Sequence, residues 1–87
     1  MYIILTYDIE VERVSRVLKI CRKYLNWVQN SVLEGEMNKA QLKRLKTELE
    51  RVIDDEKDSV TFYKLRTTQY FEKETLGITK GMEELIL

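Results

Sequence analysis

Residues 2–8 read YIILTYD, and the fold turns on what that run becomes. Tyr, Ile, Leu and Thr favour strands, and the run is too short for a helix-length pattern. Both alternating faces are largely apolar, which predicts a strand in the interior of a sheet. The run ends in a carboxylate, Asp8, just as the hydrophobic pattern stops. A carboxylate at that point can cap a following helix, or serve as a hard oxygen ligand at the end of a strand. Val11, three residues on, offers no capping-box partner. The residues alone leave both roles open.

Downstream of this strand the period changes. Val11, Val14, Val17, Leu18, Cys21, Tyr24 and Leu25 recur at three- and four-residue spacing, predicting a helix over 11–25. Its other face carries Arg13, Arg16, Lys19, Arg22 and Lys23. Residues 27–36, WVQNSVLEGE, read as extended, either a tight hairpin at Asn30-Ser31 or one bent strand. A second helix is predicted over 39–53. Asn38 and Gln41 fit a capping box, Met37 and Leu42 stand at the staple positions, and Leu42, Leu45, Leu49, Val52 and Ile53 form the buried stripe. The run 54–58, DDEKD, reads as a charged loop, and 59–66, SVTFYKLR, as a further strand. Leu85-Ile86-Leu87 is too short to stand alone and is suited to pairing with a sheet edge, including that of a second subunit. The order β, α, β or ββ, α, β predicts an α+β sandwich with both helices on one sheet face. Its leading form is the ferredoxin-like βαββαβ arrangement in a single domain over 1–87, with 67–87 as a tail or extra C-terminal strand used in dimerisation.

Composition narrows the chemistry. Hydrophobic residues are 44% and charged residues 34% of an 87-residue chain, a globular composition for one small domain. So short a chain buries only about 60–65% of its unfolded surface, which makes self-association a reasonable expectation. No apolar run approaches the ~20 residues that span a bilayer, and the N-terminus lacks the pattern of a signal peptide, so a cytoplasmic protein without a membrane partner is expected. The lone Cys21 excludes an internal disulfide and falls on the helix stripe, where a buried thiol is expected. There is no histidine. That removes Ser–His and Cys–His catalysis and leaves carboxylates, a metal, or Lys, Tyr and Ser chemistry. Net charge is zero, but residues 1–47 hold nine Lys/Arg against five Asp/Glu, and 48–87 hold six against ten. A basic half points weakly to a polyanion.

Taken together, Tyr7-Asp8 at the end of the first strand, an Arg-bearing helix, and QNSVLEGE at 29–36 leading into the second helix resemble the small CRISPR-associated adaptation proteins of the Cas-two family. The resemblance runs over about residues 1–66 in order and spacing. YD alone says little; the Q-x-S-V-hydrophobic-E-G-E block at this distance from it is fairly specific. The resemblance implies a ferredoxin-like homodimer in which Asp8 approaches its symmetry mate and binds Mg²⁺, with Mn²⁺ as a substitute. It implies metal-dependent endonuclease cleavage of single-stranded RNA, and of duplex DNA in some members. It also implies a place in spacer acquisition beside the Cas-one integrase. Trp27 stands where the family often has Arg, and Leu33 where it often has Phe, so one phosphate-binding charge is missing.

On this resemblance Asp8 reads as metal ligand and catalytic carboxylate, and Tyr7 as a packed residue with a lesser part in shaping the site. Arg13 and Arg16 read as nucleic-acid contacts, because Arg suits bidentate phosphate binding. The other reading of those arginines is a solvated helix face with weak pairs such as Glu10 with Arg13. A different class of function also fits: a non-catalytic scaffold that binds duplex DNA and the integrase. No glycine-rich phosphate loop supports a small-molecule module, and SVTFYKLR does not match the RNA-recognition strand pattern.

Overall fold

A computed structural model describes residues 1–66, 72 and 74–77. Six elements follow in the order β1 (Tyr2–Asp8), α1 (Val11–Cys21), β2 (Asn26–Gln29), β3 (Val32–Glu36), α2 (Lys39–Glu50) and β4 (Ser59–Leu65). They build a four-stranded antiparallel sheet in the order β2-β3-β1-β4. Each βαβ unit is split: β3 lies between β1 and β2, and β1 lies between β3 and β4. This is the βαββαβ ferredoxin-like arrangement.

β1 is interior to the sheet, as its apolar character requires, but its two faces differ. Ile3 and Leu5 are fully buried, while Tyr2, Ile4 and Thr6 are only half-buried and Asp8 is exposed. Leu5 stands opposite Leu33 on one side and Phe62 on the other. With Val17 and Cys21 of α1 and Leu42, Leu45 and Leu49 of α2, these residues form one core between the sheet and both helices. The other sheet face, with Ile4, Glu34 and Tyr63 in register, is covered by neither helix. Glu34 is nonetheless buried and takes a hydrogen bond from the Tyr2 hydroxyl.

Local signals explain the boundaries. Asn38 and Gln41 close the capping box, the Asn38 side chain accepting from Gln41 N–H at 2.8 Å and Gln41 Oε1 accepting from Asn38 N–H at 2.9 Å. Residues 27–36 form a hairpin, not a bent strand. Asn30 turns it at φ 38°, a left-handed conformation that Asn tolerates. Trp27 Nε1 donates to Asn30 O at 2.8 Å and closes the loop.

The first helix stops at Cys21 rather than Leu25. Lys23 N–H bonds Ile20 O and Leu25 N–H bonds Cys21 O, so the chain tightens into a turn that aims Asn26 into the sheet while keeping Leu25 buried. Likewise α2 ends at Glu50, and Val52 and Ile53 pack against the core from a turn. Val11 departs from its expected place on the buried stripe, being 82% exposed. It sits on the first turn of α1, at the end of the sheet where β1 has just finished. Cys21 is buried as expected, and burial pushes its thiol up to about 12. Among the described residues no helix is long and apolar enough to cross a membrane. Leu85–Leu87 and most of the 67–87 tail lie outside the described residues.

Candidate functional site

Asp8 closes β1 opposite Ser59 of β4, on the sheet face away from the helices. The capping alternative fails. Glu10 is the N-cap of α1, without a side-chain cap bond, and Asp8 stands two residues before it. Among the described residues the Asp8 carboxylate makes no hydrogen bond or ion pair. It is exposed and uncommitted at the end of an interior strand.

The carboxylate that secures this corner is Asp58, the last residue of the run read from sequence as a charged loop. Its side chain is wholly buried. Oδ1 accepts from Glu10 N–H at 2.9 Å and from Arg13 Nη2 at 3.0 Å. Oδ2 accepts from Arg13 Nε at 2.5 Å and from Asp54 N–H at 2.8 Å. Four donors converge on one carboxylate, two of them from a charged fork. The Arg13 bond, aided by the Asp54 and Glu10 amides, outweighs burial and holds the Asp58 carboxyl well below the usual carboxylate range. Arg13 is correspondingly held above its ordinary value. No signal in one sequence marks this pair, because the partners are 45 residues apart.

That geometry gives a pH prediction. An unfolded Asp titrates near about 3.9 and the native Asp58 lower, so on acidification the unfolded chain binds the proton first. The stability from Asp58 is therefore complete above that unfolded value and drains away as pH falls towards the native one. Glu48, held low by Lys23 and Tyr24, acts in the same direction. The thermal unfolding midpoint of wild type should fall steeply below about pH 4. Asp58→Asn should start lower at neutral pH and fall less steeply.

The other candidate residues are placed as follows. Arg13 sits on the first turn of α1, and its side chain pairs with Asp58 and with Glu12 at 3.1 Å, not with Glu10. Arg16, one turn further, is exposed, and its side chain makes no hydrogen bond or ion pair among the described residues. Tyr7 lies on the opposite sheet face from Asp8, packs against the core and donates its hydroxyl to Asn30 O at 3.3 Å. Burial, then Cys21, raises its pKa. Trp27 carries the Arg22 guanidinium 5.4 Å from its ring centroid. Lys23 pairs with Glu48, and Lys46 lies 5.3 Å over the Phe62 ring, so several basic residues serve packing.

A hard cation fits Asp8. Mg²⁺ takes one or two carboxylates and keeps several waters, and Asp8 is an uncommitted oxygen donor open to solvent. Among the described residues no group of three or more His, Cys, Asp or Glu could hold a metal ion. A cation at Asp8 would therefore need its further ligands from water, substrate or a second chain.

Among the described residues, fold and site together define a small split-βαβ protein in which the sheet face away from both helices ends in a carboxylate without a bonded partner. The chain belongs to the family of CRISPR associated protein Cas2, which matches residues 1–73. A CRISPR-associated endoribonuclease Cas2 of Dictyoglomus turgidum is 52% identical over 87 residues, spanning all of both chains. Its counterpart of the same description in Thermotoga maritima is 50% identical over 86 residues, 99% of each. A crystal structure of a Cas2 protein superposes with a TM-score of 0.82 at 46% identity, covering 92% of this chain and 90% of the other.

Proposed function

We propose that the chain is a metal-dependent endoribonuclease that acts as a homodimer, with Asp8 and its symmetry mate as the metal-binding carboxylates. The observation that carries this reading is Asp8 itself: exposed, without a hydrogen bond or ion pair among the described residues, and presented by an interior strand on the sheet face away from both helices. The half-buried Ile4 and the exposed Tyr63 on that face supply apolar area for a second copy. A two-fold axis near Asp8 supplies two carboxylates. Side by side they repel, which favours a cation between them. A Mg²⁺ bound there supplies polarisation of a phosphoryl oxygen and an acidified water.

The chain's own residues do the rest. Asp8 holds the ion. Arg16 offers to a phosphate a guanidinium that has no hydrogen bond or ion pair among the described residues. Arg13 commits Nε and Nη2 to Asp58, and a phosphate reaches it only at Nη1, in competition with the exposed Glu12. Cleavage of single-stranded RNA and of duplex DNA across a Mg²⁺ titration, with chelator added back, tests the reading. Cleavage of RNA should require the metal and stop on chelation. Metal-independent cleavage, or none on RNA, rejects it, and a monomer at working concentration in sedimentation rejects the paired site.

The exposed Arg16 also favours a second reading, in which the dimer is a duplex-DNA scaffold beside the Cas-one integrase in spacer acquisition. Duplex binding that weakens steeply with salt, and co-purification with that integrase, support it.

A further inference from the structure

We infer that Asp58 is the positioning residue for Asp8, fixing where the strand end presents its carboxylate; this rests on the metal reading above. Asp8 has no side-chain bond among the described residues, so its place is set by backbone alone. Asp58 holds that backbone from two directions. Two residues beyond Asp8 in the chain, Glu10 N–H is bound to Asp58 Oδ1. Across the sheet, the residue opposite Asp8 is Ser59, the immediate neighbour of Asp58. The Arg13 fork then clamps the first turn of α1 to the same carboxylate, and the Asp54 amide ties in the turn before β4. The β1–α1 junction, the first turn of α1 and the turn before β4 thus share one buried group, next in the chain to the residue that faces Asp8.

A buried ion pair is weak evidence for stability, since apolar residues of like volume often serve as well. What the fork adds is a fixed direction. Mg²⁺ demands near-ideal octahedral geometry, and in a symmetric pair any shift of one strand end is made twice. An error in the junction between β1 and α1 therefore enters the distance between the two carboxylates directly.

The test uses full-length protein and Mn²⁺ alone, with free Mn²⁺ read by electron paramagnetic resonance and folding read by circular dichroism at the same temperature. Asp58→Asn removes the charge. Arg13→Lys keeps the charge but loses the fork, and it carries the test where Asp58→Asn does not fold. Both variants, when folded, should bind Mn²⁺ about 10- to 100-fold more weakly than wild type, the usual effect of removing a group that orients a ligand. Asp8→Asn should not bind at the same concentrations. A merely structural role lowers the melting temperature and leaves Mn²⁺ affinity of the folded protein unchanged, and that result overturns the inference alone. Wild type that binds no Mn²⁺ overturns the metal reading and this inference together.

Discussion

Leu5→Ala should remove about 2–5 kcal/mol of stability, read as a shift of the urea midpoint with an unchanged slope. Leu5 is fully buried at the middle of an interior strand, between Leu33 and Phe62 in register and under both helices. Truncation loses the transfer energy of the side chain and leaves a cavity that neighbours on two strands fill only in part. A domain of this size holds roughly 0.05–0.15 kcal/mol per residue, so the loss is a large share of the total. Ile4→Ala, one residue away, is the informative partner. Ile4 is half-buried on the face that neither α1 nor α2 covers, opposite Glu34 and Tyr63. Its truncation should cost much less in dilute protein, and more at concentrations where a second copy covers that face. Equal losses for Leu5 and Ile4 in dilute protein would contradict the sidedness of β1.

That sidedness marks where sequence was enough and where it was not. Period and strand propensity place β1, both helices and β4, because each buried stripe is written locally. The capping box is legible for the same reason, its two partners lying three residues apart. The apolar character of Ile4 predicted an interior strand, and β1 is interior. Yet a single sequence does not say whether the second face meets a helix or a second chain. The hairpin at Asn30 was open because Asn-Ser is a weak turn signal, and the Trp27 indole bond that closes it joins a side chain to a backbone oxygen. Val11 fits the helical period, but period says nothing of where the sheet beneath ends.

The largest omission was Asp58. Five charged residues in a row read as a charged loop, and only the folded chain brings Arg13 against the last of them. Asp8 shows the converse: its type and position were plain, and its freedom from capping was not. Helix caps are chosen by backbone direction, and the chain reaches helical geometry after Glu10, too late for Asp8 to bond the first amides.

That freedom decides the expected behaviour of Asp8→Asn. Asn has nearly the same shape, and the carboxylate it replaces makes no hydrogen bond or ion pair among the described residues. Stability should therefore stay within about 0.5 kcal/mol of wild type. Metal-dependent RNA cleavage should instead fall at least about 100-fold, since losing a ligand outright exceeds the usual effect of losing a group that merely orients one. In the proposed homodimer the effect would be sharper, because each substitution is made on both sides of the paired site. Raising Mg²⁺ should recover little, as a neutral amide is a poor partner for a cation that dehydrates reluctantly. Under the scaffold reading, duplex binding through Arg16 should persist in the same variant, with its salt dependence intact. The two readings therefore separate in one protein. Cleavage lost with binding kept assigns the chemistry to Asp8 and the polyanion contact to the helix face. Cleavage at the wild-type rate removes Asp8 from the chemistry and leaves the scaffold as the reading that the exposed arginine supports.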